Sequence, residues 1–123
     1  MKDLINQWFD QCAPFEGIQA CGIRHLDQTT TTKSWATWAD GHEEVALDTA
    51  LRCVWDVQQV LQMNKISPGR LRWVYEHALL HCERRTDGAC LGVFTLRDEQ
   101  SFDRDGLARM FTEFQRLSAG GGF

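Results

Sequence analysis

The chain has 123 residues, 43% of them hydrophobic and 24% charged, with a formal net charge of -4 and a pI of about 5.5. That length suits a single domain whose core needs no metal or disulfide to fold. The acidic balance, with no basic patch, argues against nucleic acid or an anionic membrane surface as a partner.

Met1-Lys2-Asp3-Leu4-Ile5-Asn6-Gln7 is interrupted too early by polar groups to read as a signal peptide. No apolar run approaches the ~20 residues of a membrane span, so a cytoplasmic protein is expected. The five cysteines Cys12, Cys21, Cys53, Cys82 and Cys90 are odd in number and lack C-x-x-C spacing. Most lie in apolar runs, which predicts buried, reduced thiols in a reducing compartment.

Leu4, Ile5, Trp8, Phe9 and Cys12 have helical spacing, which predicts a helix over 2–13 with Pro14 as its stop. Ile18 to Leu26 reads as a buried strand, and Gly22 within it predicts a neighbour packed close to the backbone. Asp27 to Thr32 reads as a turn into a second strand over Lys33–Ala39, paired with the first as a hairpin. On that strand Trp35 and Trp38 would face opposite sides.

The strongest helix is predicted over 43–63. At 100° per residue, Ala46, Leu47, Ala50, Leu51, Cys53, Val54, Val57, Val60 and Leu61 cover about half its circumference. A helix packed on one sheet usually shows a stripe of somewhat over 100°, so this width implies a second contact. Cover from the first or last helix is the plain alternative.

Residues 70–85 fit two patterns. As a helix, Leu71, Val74, Ala78, Leu79 and Cys82 share a face. As strands, Leu71, Trp73 and Tyr75 alternate with polar neighbours, and a turn at His77-Ala78 starts a second strand, Leu79 to Arg84. Neither His nor Ala is a preferred hairpin residue. Thr86-Asp87-Gly88 then predicts a turn and Ala89 to Leu96 a strand. Asp103 can cap a last helix to Leu117, with Leu107, Met110, Phe111, Phe114 and Leu117 as its stripe. A single domain is expected over 1–118, with 119–123 as a flexible tail.

No nucleotide-binding P-loop, G-x-G-x-x-G or G-x-S-x-G motif is present. On a helix, His77 and His81 would share a face beside Glu76, but the glutamate precedes the first histidine, the wrong order for a zinc-protease motif. Cys21 and His25 are too far apart on a strand for a nucleophile and its base. Neither cluster carries a catalytic, cofactor or metal assignment.

If residues 70–85 are strands, the order α-β-β-α-β-β-β-α resembles the roadblock / dynein light chain family over about Leu4 to Leu117. The residues that carry the resemblance are Glu16-Gly17-Ile18 into the first strand, the helix 43–63, Arg70-Leu-Arg-Trp-Val-Tyr-Glu, Leu79-Leu-His-Cys-Glu, and Asp87-Gly88 through Phe94. The resemblance implies an α+β fold, profilin-like or roadblock-like, with a five-stranded antiparallel sheet and the long helix on one face. It implies a non-enzymatic homodimer that needs no cofactor and scaffolds or regulates a small Ras-like GTPase. Mapped here, the dimer or partner interface would use Arg52, Trp55 and Gln59 on the helix with Leu71, Trp73 and Tyr75 on the third strand. A secretion-type chaperone is the rival reading, although such proteins usually carry three strands before the middle helix. A ligand or metal sensor using Glu76, His77 and His81 is the other.

Overall fold

The computed structural model describes residues 1–35, 43–66 and 69–117, with the side chains of 43–47 also left aside. Helix α1 (Lys2–Gln11) leads into β1 (Ile18–Arg24) and β2 (Thr30–Ser34), and the long helix α2 (Glu43–Met63) follows. Strands β3 (Leu71–Val74), β4 (Ala78–Arg84) and β5 (Cys90–Leu96) precede helix α3 (Arg104–Arg116). The five strands form one antiparallel sheet in the order β2-β1-β5-β4-β3.

Residues 70–85 are therefore two strands. Their hairpin closes through Tyr75 N–H donating to the Ala78 carbonyl at 2.9 Å, which puts Glu76-His77 in the loop. The turn lies one residue before the expected His77-Ala78. Neither loop residue has a positive φ, so the preference for Asn-Gly does not apply to it.

The second strand starts three residues before the expected Lys33, and the rest of that expected segment, 36–39 with Trp38, lies outside the described residues. The threonines are the reason. Asp27 accepts from the Thr29 amide at 3.0 Å and the Thr29 hydroxyl at 2.6 Å, and Gln28 takes φ 72, so the turn finishes by Thr29. Thr30, Thr31 and Thr32 are then β-branched strand residues, paired with Arg24, Ile23 and Gly22. The tail expected at 119–123 lies outside the described residues.

Strand alternation divides the core into two layers. On one face α1 and α3 bury Ile5, Phe9, Phe111 and Phe114 against Cys21, Ile23, Leu79, Leu91 and Val93. Asp103 caps α3 as expected, accepting from Gly106 N–H at 2.9 Å. Lys33 Nζ closes the end of α1 by donating to the carbonyls of Phe9, Asp10 and Cys12 at 2.9–3.1 Å.

On the other face α2 buries Leu51 and Val54 against Ala20, Leu80, Cys82, Cys90 and Phe94. Gly22 and Gly92 face each other across β1 and β5. A Cβ on either would lie 2.6 or 2.5 Å from a Leu51 methyl, so the two glycines form the hollow that seats α2. This is the close neighbour expected at Gly22. Lys65 ends α2 at φ 60, with Ile66 N–H donating to the Leu61 carbonyl at 2.8 Å and Lys65 N–H to that of Gln62 at 3.0 Å.

Candidate interaction interface

The first and last helices occupy the opposite side of the sheet, so they do not cover the apolar surface of α2. Of its expected apolar arc, Leu51 and Val54 are buried and Ala50 and Leu61 half-buried. Cys53 and Val57 are exposed, and Val60 is 58% exposed. Ala46 and Leu47 lie outside the described side chains.

The exposed flank of α2 faces a groove of about 710 Å3 lined by Thr49, Ala50, Cys53, Tyr75, Ala78 and Phe94, together with Glu76 and His77 of the β3–β4 turn. The Tyr75 and Phe94 rings meet there at 6.2 Å. Burial pushes the Tyr75 hydroxyl above the ordinary phenol range, so it remains protonated at neutral pH.

The groove is lined by Tyr75, which directly follows β3, and β3 is an edge strand. Since Tyr75 and Ala78 form a hydrogen-bonded pair, alternation turns the backbone groups of Arg72 and Val74 to the open edge. Leu71 and Trp73 pair with Cys82 and Leu80, so they face the α2 layer and stay half-buried. On the reverse face Arg70 pairs with Glu83 at 2.9 Å and Arg72 pairs with Glu99.

The structure thus brings Leu71, Trp73 and Tyr75 together on one strand face. Arg52, Trp55 and Gln59 lie on the other flank of α2. Trp55, for example, is turned about 160° from Cys53 around the helix. Arg52 is exposed, while Trp55 and Gln59 are half-buried. The Trp55 indole N–H donates to the Gly88 carbonyl at 3.3 Å, and the Arg24 and Arg84 guanidiniums each lie 6.0 Å from its ring. Of the expected apolar arc, Ala50 and Cys53 line the groove, and Val57 and Val60 are exposed beyond it.

Glu76 lies 3.6 Å from His77 Nε2, but His77 and His81 are in different surroundings. His77 is exposed in the β3–β4 loop. His81 is buried, its Nε2 lies 2.9 Å from the Thr95 hydroxyl, and burial with the nearby Arg70 and Arg72 lowers its pKa to about 4. His25 meets Asn6 at 3.1 Å, while burial pushes the Cys21 thiol well above its usual range. Among the described residues, no group of three His, Cys, Asp or Glu side chains could hold a metal ion, and no helix is long and apolar enough to cross a membrane. All five cysteines are free, and Cys21, Cys82 and Cys90 are buried.

No family model matches the chain, and no curated protein matches it. Among solved structures it is similar to MglC from Myxococcus xanthus, with a TM-score of 0.52 and 15% sequence identity over 94% of this chain and 92% of that one. At that identity the likeness speaks for the fold: the chain has the five-stranded, α+β roadblock-like architecture expected from its sequence.

Proposed function

We propose that the protein is a non-enzymatic, homodimeric interaction module that scaffolds or regulates a small Ras-like GTPase in the cytoplasm. The observation that carries this reading is the apolar groove between α2 and the β3–β4 turn, next to the open edge strand β3. A polar edge would need no partner, but beside this one Tyr75 shares an apolar groove with Ala50, Cys53 and Phe94, and Val57 and Val60 are exposed on the same helix. A second copy is the proposed occupant. Antiparallel pairing of β3 with its own copy satisfies the open backbone groups and extends the sheet across a two-fold axis. The same operation lays each exposed α2 flank against its counterpart, and apolar surface of this kind is typical of obligate dimers.

The flank carrying Arg52, Trp55 and Gln59 points away from this seam and is proposed to meet the GTPase. The roadblock-like fold supports that assignment, because the family resemblance implies such a partner. Among the described residues two strands precede α2, whereas a secretion-type chaperone would carry three.

Sedimentation and light scattering test the seam. Wild type is expected to be a dimer at micromolar concentration. Val60→Glu puts a charge in the seam, and Val74→Pro removes an outward N–H without touching the β4 ladder. Each variant should be a monomer with an unchanged circular dichroism spectrum. A wild type that stays monomeric at high concentration would sink the dimer. Pull-downs with the host's small GTPases that recover none would sink the partner assignment.

A further inference from the structure

A second unusual place lies under the other flank of α2. Arg24 and Arg84 are both register partners of Cys90, so the row Arg24–Cys90–Arg84 crosses three adjacent strands on the α2 face. The two cations therefore start about 10 Å apart at the backbone. Neither forms an ion pair among the described residues. Arg24 donates to the Thr30 hydroxyl at 3.1 Å, but its Nε is buried and has no partner among the described residues. Nη1 of Arg84 is likewise buried and unpartnered.

Gln58 supplies a third orphan. It is 1% exposed, its carbonyl oxygen accepts from the Cys90 thiol at 3.2 Å, and its amide nitrogen has no partner among the described residues. Burial holds the Cys90 thiol protonated, so sulfur acts as the donor and turns the amide nitrogen away. Buried donors without acceptors are rare, because their lost hydration is not replaced. Here three occur in one place, and all are donors.

Arg84 and Gln58 line a cleft of about 270 Å3 beneath the end of α2, together with Gln62, Thr86 and Gln115. No carboxylate lines it among the described residues. Arg85, also in its wall, is fully engaged by Asp87 and by the carbonyls of Phe114 and Leu117. The cleft thus combines positive charge, unanswered donors and, among the described residues, no carboxylate.

We propose that this cleft is a binding pocket for the oxyanion group of a small ligand, held by the Arg84 guanidinium and the Gln58 amide. Arg24, across Cys90, adds positive potential from behind. A carboxylate and a phosphate offer the same acceptor chemistry. The volume falls below the ~300–1,000 Å3 common for larger organic ligands, so the pocket suits one anionic head group rather than a dinucleotide. The site lies away from the α2–β3 seam and does not require dimerisation.

Titrations with inorganic phosphate and with glutarate, at ionic strength fixed with chloride, test it on the full chain. The expected result is saturable binding of at least one probe, with shifts of the Gln58 side-chain amide and Arg84 Nε resonances. Phosphate alone would mark a phosphate pocket and glutarate alone a carboxylate pocket. Arg84→Met keeps the apolar stem and should weaken binding at least tenfold. Gln58→Glu places a carboxylate beside Arg84, so it should raise Tm and abolish binding. No saturable response to either probe overturns the proposal, as does an Arg84→Met variant binding within twofold of wild type. If Arg84→Met does not fold, Gln58→Glu decides, and unchanged affinity in that variant is the overturning result. The same titration on the Val60→Glu monomer should give the same affinity, which separates this site from the seam.

Discussion

The two faces of the sheet are built from similar residues and end differently. On the face covered by α1 and α3, two amphipathic helices close over the strands, and Phe9, Phe111 and Phe114 are at most 1% exposed. On the other face a single helix must cover five strands. Its seat over Gly22 and Gly92 places it across β1, β2 and β5, and the far side at β3 stays partly open. The edges differ in the same sense. β2 presents Thr30-Thr-Thr-Lys-Ser34, while β3 presents Leu71-Arg-Trp-Val74 with Tyr75 beyond it. A sheet with one closed and one half-open face can be stable as a monomer and still have a reason to associate.

This difference can be broken from the closed side first. Phe114→Ala removes a fully buried ring and should cost about 3–5 kcal/mol in chemical denaturation. A loss well under 1 kcal/mol would mean that this face is not the main source of stability. On the open side, Gly92→Val would fill the hollow occupied by Leu51 and should cost about 1–3 kcal/mol. Because it tilts or lifts α2, it should also weaken the dimer, whereas Phe114→Ala should leave dimerisation of the folded fraction intact.

His81 gives the closed face a pH signature. Its folded pKa of about 4 lies below the ordinary histidine value of 6.5, so the unfolded chain binds the proton more readily. The resulting stability is complete above pH 6.5 and is lost as the pH falls toward 4. His81→Gln should flatten the dependence of the urea midpoint over that window, and an unchanged slope would assign the effect elsewhere. The smallest effect on the monomer is expected at Val60, which is 58% exposed. Val60→Glu should move the monomer's stability by no more than about 0.5 kcal/mol while removing the dimer.

Much of the fold was legible in the chain. Periodicity located α1, α2 and α3, Asp103 announced its cap, and the apolar run 89–96 located β5 within a residue. The segment 70–85 was not, because Leu71, Trp73, Leu79 and Cys82 satisfy both a helical and an alternating pattern. Pairing decided it, since β4 gains a partner on each side as a strand and would have none as a helix. The early start of β2 was missed because threonine favours both turns and strands, and only the Asp27 side chain shows where one ends.

By itself, then, the sequence determined the element order, the excess apolar width of α2 and the open question that this excess posed. Local spacing carries such information because side-chain direction follows backbone period. Tertiary structure alone decided which part of α2 stays uncovered. The Gly22–Gly92 hollow fixes the helix's rotation, buries Leu51, puts Cys53 in the groove and leaves Val57 and Val60 exposed. It decided equally that Arg24, Arg84 and Gln58, distant in the chain, meet over Cys90 with donors unanswered. Strand register sets that meeting, and no local pattern in the sequence encodes register across three strands.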